Sequence, residues 1–295
     1  MDESQSKVSI VLPTYNGFQY IHQSIDSCLN QTHKNIELII VDDASTDSTP
    51  QIIKSYSDGR IHYIRNEANL GLANSLNKGF SYAQGEYFTW TSDDNYYSEQ
   101  AIQVMAEELK KHRGIDFVYA NYYIVNDEGN VSGRERVTSV KKLYLWNCIG
   151  ACFLYRRSVY ETIGEYNPQV SLFEDYEYWL RVRQRFSMKR LNKWLYYYRL
   201  HKGSLTGYKQ SFIPHDKERY REARIEMREN YISSSERLHL EAENHFHKEE
   251  YHSARRLAIK SLLIDIFNFD VWRLLAILFL GPSILKRIKK IKNTI

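Results

Sequence analysis

The sequence predicts an α/β fold, a mostly parallel sheet flanked by helices, with an α-helical C-terminal extension. Three observations carry that expectation. Short, nearly continuous apolar runs alternate with amphipathic segments as far as about Phe212, a pattern that requires crossover connections and therefore parallel strands. Polar residues recur where those runs end, at Thr14, Tyr15 and Asn16, at Asp42 and Asp43, at Asn66 and Asn69, and at Asp93 and Asp94. In open α/β sheets the carboxyl ends of the strands form the ligand crevice. From about Phe212 onward the pattern becomes helical and charged.

Taken in order, "KVSIVLPTYN" is a strand running into a turn at Pro13, with the continuous apolar content of a strand covered on both faces. "FQYIHQSIDSCLNQ" sets Ile21, Ile25, Cys28 and Leu29 on one helical face. "NIELIIVDDAS" is a second buried strand ending in two carboxylates, and "TPQIIKSYS" is a short helix with Pro50 in its first turn. "IHYIRN" is a third strand, "GLANSLNKGFSYA" a helix and "EYFTWTSDD" a fourth strand. After a helix at "SEQAIQVMAEELKKH", the stretch "GIDFVYANYYIVNDEGNVSG" is strand-like with a hairpin signal at "DEGN". "GACFLYRRSVYETIG" passes from a strand into a short helix ended by Gly164, and "LFEDYEYWLRVRQRF" opens a helix with Glu174 and Asp175 at its start. "KRLNKWLYYYRLHKGSLT" is a last strand, leading into a loop that bears His201.

Composition excludes several classes. Hydrophobic content of 43% and charged content of 26% are those of a soluble globular chain rather than a disordered one. The net charge of +4 is local, because Lys286, Arg287, Lys289, Lys290 and Lys292 supply five positive charges and leave the rest at −1. No nucleic-acid groove is expected in the body. The three cysteines offer no disulfide framework, and Cys148 and Cys152 lack partners for a zinc site, so all are expected as reduced thiols. "MDESQSK" has no apolar signal-peptide core, which points to a cytoplasmic protein. The 24 tyrosines have two uses, since the side chain packs well in strands and its ring also stacks on bases and sugars.

Two adjacent carboxylates in "TWTSDDNYY", Asp93 and Asp94, repel unless a cation or a shared proton lies between them. In isolation such a pair also makes a turn or caps a following helix. No Gly-x-Gly-x-x-Gly follows the first strand and no Walker loop is present. Whatever binds here is held by carboxylates and aromatics rather than by a glycine-lined phosphate cradle.

In order, "PTYNG", "VDDASTDST", "NLGLANSLNKG", "TSDD", "GACFLYRRSVYETIGEY", "FEDYEYWLR" and "YRLHKGSLT" resemble the family 2 glycosyltransferases over roughly residues 7–207. The resemblance implies the Rossmann-like GT-A fold and inverting transfer from a nucleotide-diphosphate sugar. It also implies a catalytic domain over 1–210, with a nucleotide-binding part at about 7–95 and an acceptor part at about 96–210, followed by a helical region at 211–295. Asp94 would hold Mn²⁺ or Mg²⁺ on the diphosphate, in keeping with the preference of both ions for hard oxygen ligands. Asp93 would lie near the ribose or donor sugar. Many members carry a further Asp at the position of Thr91, so metal holding here rests on fewer carboxylates.

By the same resemblance Tyr15, preceded by Pro13 and Thr14, stacks on the base, Asp43 accepts a hydrogen bond from it, and Asn69 reinforces the pocket. Asp175 matches the catalytic base, Glu174 orients the acceptor, Gly150 and Ala151 lie on the acceptor and donor-sugar side, and His201 approaches the metal. Plainer structural uses stand beside these roles. Asp42 and Asp43 fit a turn and cap, Asn69 a turn before Gly71, and Glu174 and Asp175 a helix N-terminus. UDP is the expected nucleotide, and a glycan or lipid-linked molecule the expected acceptor in surface polysaccharide synthesis. The alternative is a catalytically silent sugar-nucleotide-binding or assembly protein.

"VWRLLAILFLGPSILKRIKKIK" is too interrupted to span a bilayer, which takes about 20 apolar residues. As an interfacial anchor it would place Trp272, Leu274, Leu275, Ile277, Leu278 and Phe279 in the headgroup boundary and Lys286 through Lys292 on anionic lipid at the inner face. Its other use is to pack on the catalytic domain or on a second subunit of a homo-oligomer.

Overall fold

The computed structural model describes residues 6–204, 225 and 227–279. Contacts divide the chain into two compact units, one through Met227 and one from Arg228. The boundary expected at residue 210 lies outside the described residues.

The first unit runs β1 (Val8–Thr14), α1 (Ile21–Leu29), β2 (Ile36–Asp42), α2 (Thr49–Lys54), β3 (Ile61–Arg65), α3 (Leu72–Tyr82), β4 (Tyr87–Trp90), β5 (Tyr96–Tyr97), α4 (Ala101–Lys111), β6 (Phe117–Val125) and β7 (Val131–Glu135). A 3₁₀ turn (Val140–Lys142) precedes β8 (Phe153–Arg156), α5 (Arg157–Ile163), α6 (Glu174–Val182) and β9 (Met188–Arg199). The strands form one sheet in the order β3-β2-β1-β4-β8-β6-β9-β5, with β7 paired on β6.

Every residue of β1 and β2 is buried, as their continuous apolar content requires. β1 is parallel to β2 and β4, and β2 to β3. That half of the sheet therefore delivers the carboxyl ends of its strands to one edge, with Thr14 level with Asp42 and Val11 with Trp90. Beyond β4 the sheet is mixed, since β8 is antiparallel to both β4 and β6 while β9 is parallel to β6. β5 is two residues long, antiparallel to β9, and too short to leave a periodic signal.

Packing accounts for many of the tyrosines. Tyr87, Tyr119, Tyr144, Tyr155, Tyr166, Tyr178 and Tyr196 are fully buried. The ring of Tyr155 stacks on Phe117 with centroids 5.7 Å apart, and Trp179 meets Phe153 edge-on at 4.6 Å. The described cysteines Cys28, Cys148 and Cys152 are free and buried, as expected of reduced thiols.

The second unit contains α7 (Ser234–His247), α8 (Tyr251–Ile264) and α9 (Phe269–Phe279). α7 starts in a capping box: the Glu236 N–H donates to Ser233 Oγ at 3.2 Å and the Ser233 N–H donates to the Glu236 carboxylate at 2.9 Å. Its core combines Ala242, Phe246, Ala254 and Ala258 with Val271, Leu274, Leu275 and Leu278. The anchor expectation is corrected for three of its apolar residues. Leu274, Leu275 and Leu278 recur at helical spacing on the face of α9 that meets this core, so they are withheld from any lipid. Trp272 and Phe279 are exposed, as are Leu263, Ile264, Ile266, Phe267 and Phe269 around the α8–α9 turn. No described helix is long and apolar enough to cross a membrane. Lys286 through Lys292 lie outside the described residues.

Candidate active site

The carboxyl ends of β1, β2 and β4 open into a cleft of about 1040 Å³, closed on its other side by residues of β6, by the segment before β8, by the start of α6 and by the loop after β9. Pro13, Thr14, Tyr15, Asp43, Asn69, Asp93, Asp94, Gly150, Ala151, Glu174, Asp175 and His201 all line it. The fold thus gathers every residue to which the resemblance assigns a site role, from positions as far apart as 13 and 201, while Asp42, Asn66 and Thr91 are not among the lining residues.

At the centre lies the acidic pair. Thr14 Oγ1 donates to Asp93 Oδ2 at 2.5 Å. Burial, and then the adjacent Asp94 carboxylate, raise the Asp93 carboxyl to about 7, against the opposing pull of the Thr14 hydrogen bond. His201 Nε2 lies 3.1 Å from Asp94 Oδ2. That hydrogen bond raises the His201 imidazole above its usual value, with burial opposing. Asp94 Oδ1 is buried and has no hydrogen-bond partner. A buried carboxylate oxygen in this condition is costly unless something else satisfies it. With His201 alongside, Asp94 offers a divalent cation two protein ligands, which fits an ion whose other ligands are phosphate oxygens and water, and no group of three or more His, Cys, Asp or Glu able to hold a metal occurs among the described residues.

Thr91, where many family members have a carboxylate, does not face this cleft. It is fully buried and shares a 2.6 Å hydrogen bond with the Tyr196 hydroxyl. Arg199, also buried, fixes the backbone of the pair: its Nε donates to the Asp94 carbonyl at 3.0 Å and its N–H to Asn95 Oδ1 at 2.7 Å. Its guanidinium also sits 4.4 Å from the centroid of the Tyr20 ring.

Beside the ends of β1 and β2, Tyr15 presents a half-exposed ring. Asp43 is buried and largely engaged: Oδ1 accepts from Asn66 Nδ2 at 2.7 Å and the Leu70 N–H at 2.9 Å, and Oδ2 from the Gly71 N–H at 2.8 Å. Of about four acceptor positions on a carboxylate, one is left for a ligand. Asn69 Oδ1 accepts from the Gly71 N–H at 3.2 Å, which makes it part of the same turn. Asp42 plays the structural part, fully buried and bonded to the Tyr63 hydroxyl at 2.8 Å, Arg65 Nη1 at 2.9 Å and the Ser45 N–H at 2.8 Å.

The opposite wall of the cleft is built around the first turn of α6. Glu174 Oε1 accepts from the Leu172 N–H at 3.0 Å, where Leu172 has φ 71°. Asp175 Oδ1 accepts from the Tyr176 N–H at 2.7 Å and Oδ2 from Asn147 Nδ2 at 2.7 Å. Gly150, at φ 74°, brings the chain against Tyr122, and a β-carbon there would lie 2.4 Å from that ring. Sequence reasoning missed Asn147, which also lines the cleft together with Tyr122, Asp127 and Tyr198. The hairpin signal at "DEGN" points toward Asp127, and the tyrosine runs "YYIV" and "WLYYYRLH", suited to stacking on rings or sugars, contain Tyr122 and Tyr198.

The profile described as Glycosyl transferase family 2 matches residues 9–164. The chain is 32% identical over 206 residues to an Escherichia coli protein described as UDP-Glc:alpha-D-GlcNAc-diphosphoundecaprenol beta-1,3-glucosyltransferase WfaP, a match covering 68% of this chain and 80% of that one. It spans only 31% to 58% of the length of rickettsial relatives described as uncharacterized glycosyltransferases. The fold is similar to that of S. aureus TarS in complex with UDP-GlcNAc, with TM-score 0.58 and 19% identity over 92% of this chain and 71% of that one. It is also similar to the mannosyltransferase PcManGT from Pyrobaculum calidifontis in complex with GDP-Man and Mn²⁺, with TM-score 0.56 and 17% identity over 70% of this chain and 61% of that one. At such identities the two structures share the fold.

Proposed function

The chain belongs to glycosyl transferase family 2, and from that premise we propose that it is an inverting enzyme moving a sugar from a nucleotide-diphosphate donor, a UDP-sugar in the first instance, to a hydroxyl of a glycan or lipid-linked acceptor in surface polysaccharide synthesis. The observation that carries this reading is that one cleft holds Asp94, with a buried and unpartnered oxygen, and Asp175, at the open start of α6. The UDP-sugar and lipid-diphosphate named for WfaP, and the sugar nucleotides bound by the two similar structures, support the donor and acceptor classes.

The roles follow from position. Tyr15 offers a ring face to the base, and the remaining acceptor position of Asp43 takes an N–H of that base. Asp93, fixed by Thr14, shapes the floor beneath the ribose and donor sugar. Mn²⁺ or Mg²⁺ held by Asp94 and His201 would supply positive charge against the departing nucleoside diphosphate. Asp175 accepts the proton of the acceptor hydroxyl as its oxygen attacks the anomeric carbon, while Glu174, Gly150 and Ala151 shape the space around that attack. A single displacement from the face opposite the leaving group inverts the anomeric centre and needs no covalent sugar intermediate.

The same reading puts the enzyme in the cytoplasm, at the inner face of the membrane. Exposed Ile266, Phe267, Phe269 and Trp272, with the basic run from Lys286 later in the sequence, supply apolar and cationic groups for an anionic lipid surface. Contact with a second copy is the competing use of that surface.

A donor screen tests the function: UDP-glucose, UDP-GlcNAc, GDP-mannose and other common nucleotide sugars, each scored by binding and by nucleoside-diphosphate release with Mn²⁺. Asp175→Asn should bind the selected donor as the parent does yet turn over about 10²- to 10⁴-fold more slowly. Binding without release from any donor would leave a sugar-nucleotide-binding protein. Parental turnover in Asp175→Asn would remove Asp175 from the mechanism.

A further inference from the structure

Both oxygens of Asp175 are held, but by different parts of the chain. Oδ1 takes the N–H of its neighbour Tyr176, a bond local to the helix start, whereas Oδ2 takes Asn147 Nδ2 from a segment 28 residues earlier. That segment is anchored at several points. Cys148 Sγ donates to the Ser139 carbonyl at 3.4 Å, the Thr138 N–H donates to the Cys148 carbonyl at 3.3 Å, and the Tyr176 hydroxyl donates to the Leu143 carbonyl at 2.7 Å. Asn147 Oδ1 in turn accepts from the Ile149 N–H at 3.4 Å, so the amide is oriented with its NH₂ toward the carboxylate.

Each oxygen of a carboxylate accepts about two hydrogen bonds, so Asn147 leaves Oδ2 one acceptor position while removing its freedom to turn. We infer that Asn147 is the positioning residue for the base: its amide fixes the rotation of the Asp175 carboxylate so that this remaining position meets the acceptor hydroxyl. The inference rests on the reading of Asp175 as that base. Asn147 takes no proton itself, because a neutral amide has no basic site in this range and its role is carried wholly by donation. Its effect is geometric, and displacements of about 1 Å at a reacting group cost up to about 10²-fold in rate.

The test compares Asn147→Ala, Asn147→Ser and Asn147→Asp with the parent and with Asp175→Asn in the 295-residue chain. It uses the donor selected by the screen, a UDP-sugar on the proposed reading, with water as acceptor, and reads release of its nucleoside diphosphate (UDP) together with UDP affinity by calorimetry. Asn147→Ala should lower turnover about 10- to 100-fold with UDP affinity unchanged. Asn147→Ser, which keeps a shorter donor, should recover part of the loss. Asn147→Asp is the decisive variant. It keeps the shape of the side chain but replaces a donor by an acceptor and sets a second carboxylate against Asp175, so it should lose at least as much as Asn147→Ala. A merely structural Asn147 predicts the opposite order, with the isosteric variant close to the parent.

Parental turnover in Asn147→Ala and Asn147→Asp, with Asp175→Asn inactive, would overturn the positioning role and leave the base in place. A fall in UDP affinity matching the fall in turnover would also overturn it, by moving Asn147 to the donor pocket. Parental turnover in Asp175→Asn would instead remove the base on which the inference rests.

Discussion

A β-carbon at Gly17 would stand 2.1 Å from Asp93 Oδ2, so Asp93 occupies space that any other residue at position 17 would fill. Thr14 Oγ1 would also be too close, at 2.7 Å, and the conflict would therefore fall on the Thr14–Asp93 hydrogen bond itself. Because Gly17 is not among the residues with positive φ, Gly17→Ala tests space alone. It should weaken UDP binding in Mn²⁺ by at least tenfold and destabilise the fold by about 1–3 kcal/mol, the usual cost of overpacking. Calorimetry and thermal denaturation report the two effects separately. Unchanged affinity would mean that Asp93 does not shape the donor site.

Asp94 carries a trade between stability and binding. Its Oδ1 is buried and unpartnered, a condition worth about 1–3 kcal/mol of penalty in a folded protein. Asp94→Asn should thus melt no lower than the parent in chelator. Mn²⁺ should raise the melting temperature of the parent by mass action and leave that of the variant where it was. An equal shift in both proteins would take the ion away from Asp94.

Glu37 sits far from the cleft and sets an acid limit on the fold. Burial favours its neutral form, but Lys7 at 2.6 Å, Ser9 Oγ at 2.5 Å and the Gln84 N–H at 2.7 Å outweigh burial and hold its carboxyl below the usual value. A carboxyl lowered on folding stabilises the protein above its unfolded value, about 4.3 for Glu, and that stability is lost as pH falls through the folded value. Melting temperatures of the parent should therefore drop more steeply than those of Glu37→Gln below about pH 4.3. Parallel curves would show that another carboxylate governs the acid transition.

The strands and the cleft were legible because apolar runs ending in polar residues are local signals, and the parallel half of the sheet aligns those ends without further information. Roles at adjacent positions were not. Asp42 and Asp43 are the same residue type side by side, yet one ends β2 bonded to Tyr63 and Arg65 while the other faces the cleft. Thr91 counts as a missing metal carboxylate in the sequence, but its side chain lies against Tyr196, 105 residues away. Arg199 and Asn147 escaped for the same reason: their partners Asp94 and Asp175 lie 105 and 28 residues distant, and no periodicity reports such pairings.

Truncation is a poor test of the membrane contact, because the tail also builds the core of the helical unit. Cutting the chain near Asp270 would remove Val271, Leu274, Leu275 and Leu278 from the core of the helical unit, so lost lipid binding could reflect lost folding. Phe267 and Phe269 are exposed and outside that core, and Lys286, Arg287, Lys289, Lys290 and Lys292 carry the charge. Phe267→Ser with Phe269→Ser should leave thermal stability within about 0.5 kcal/mol of the parent, as surface changes do. Replacing the five basic residues by Gln should remove up to about 1 kcal/mol of lipid attraction for each that reaches the surface. In liposome flotation the parent should rise with phosphatidylserine vesicles at low salt, the aromatic variant less, and the Gln variant least, with the Gln effect fading as salt increases. Equal flotation of all three would dismiss the membrane contact. Concentration-dependent self-association of the parent, abolished by the two Ser substitutions, would assign the exposed turn to a second copy of the chain.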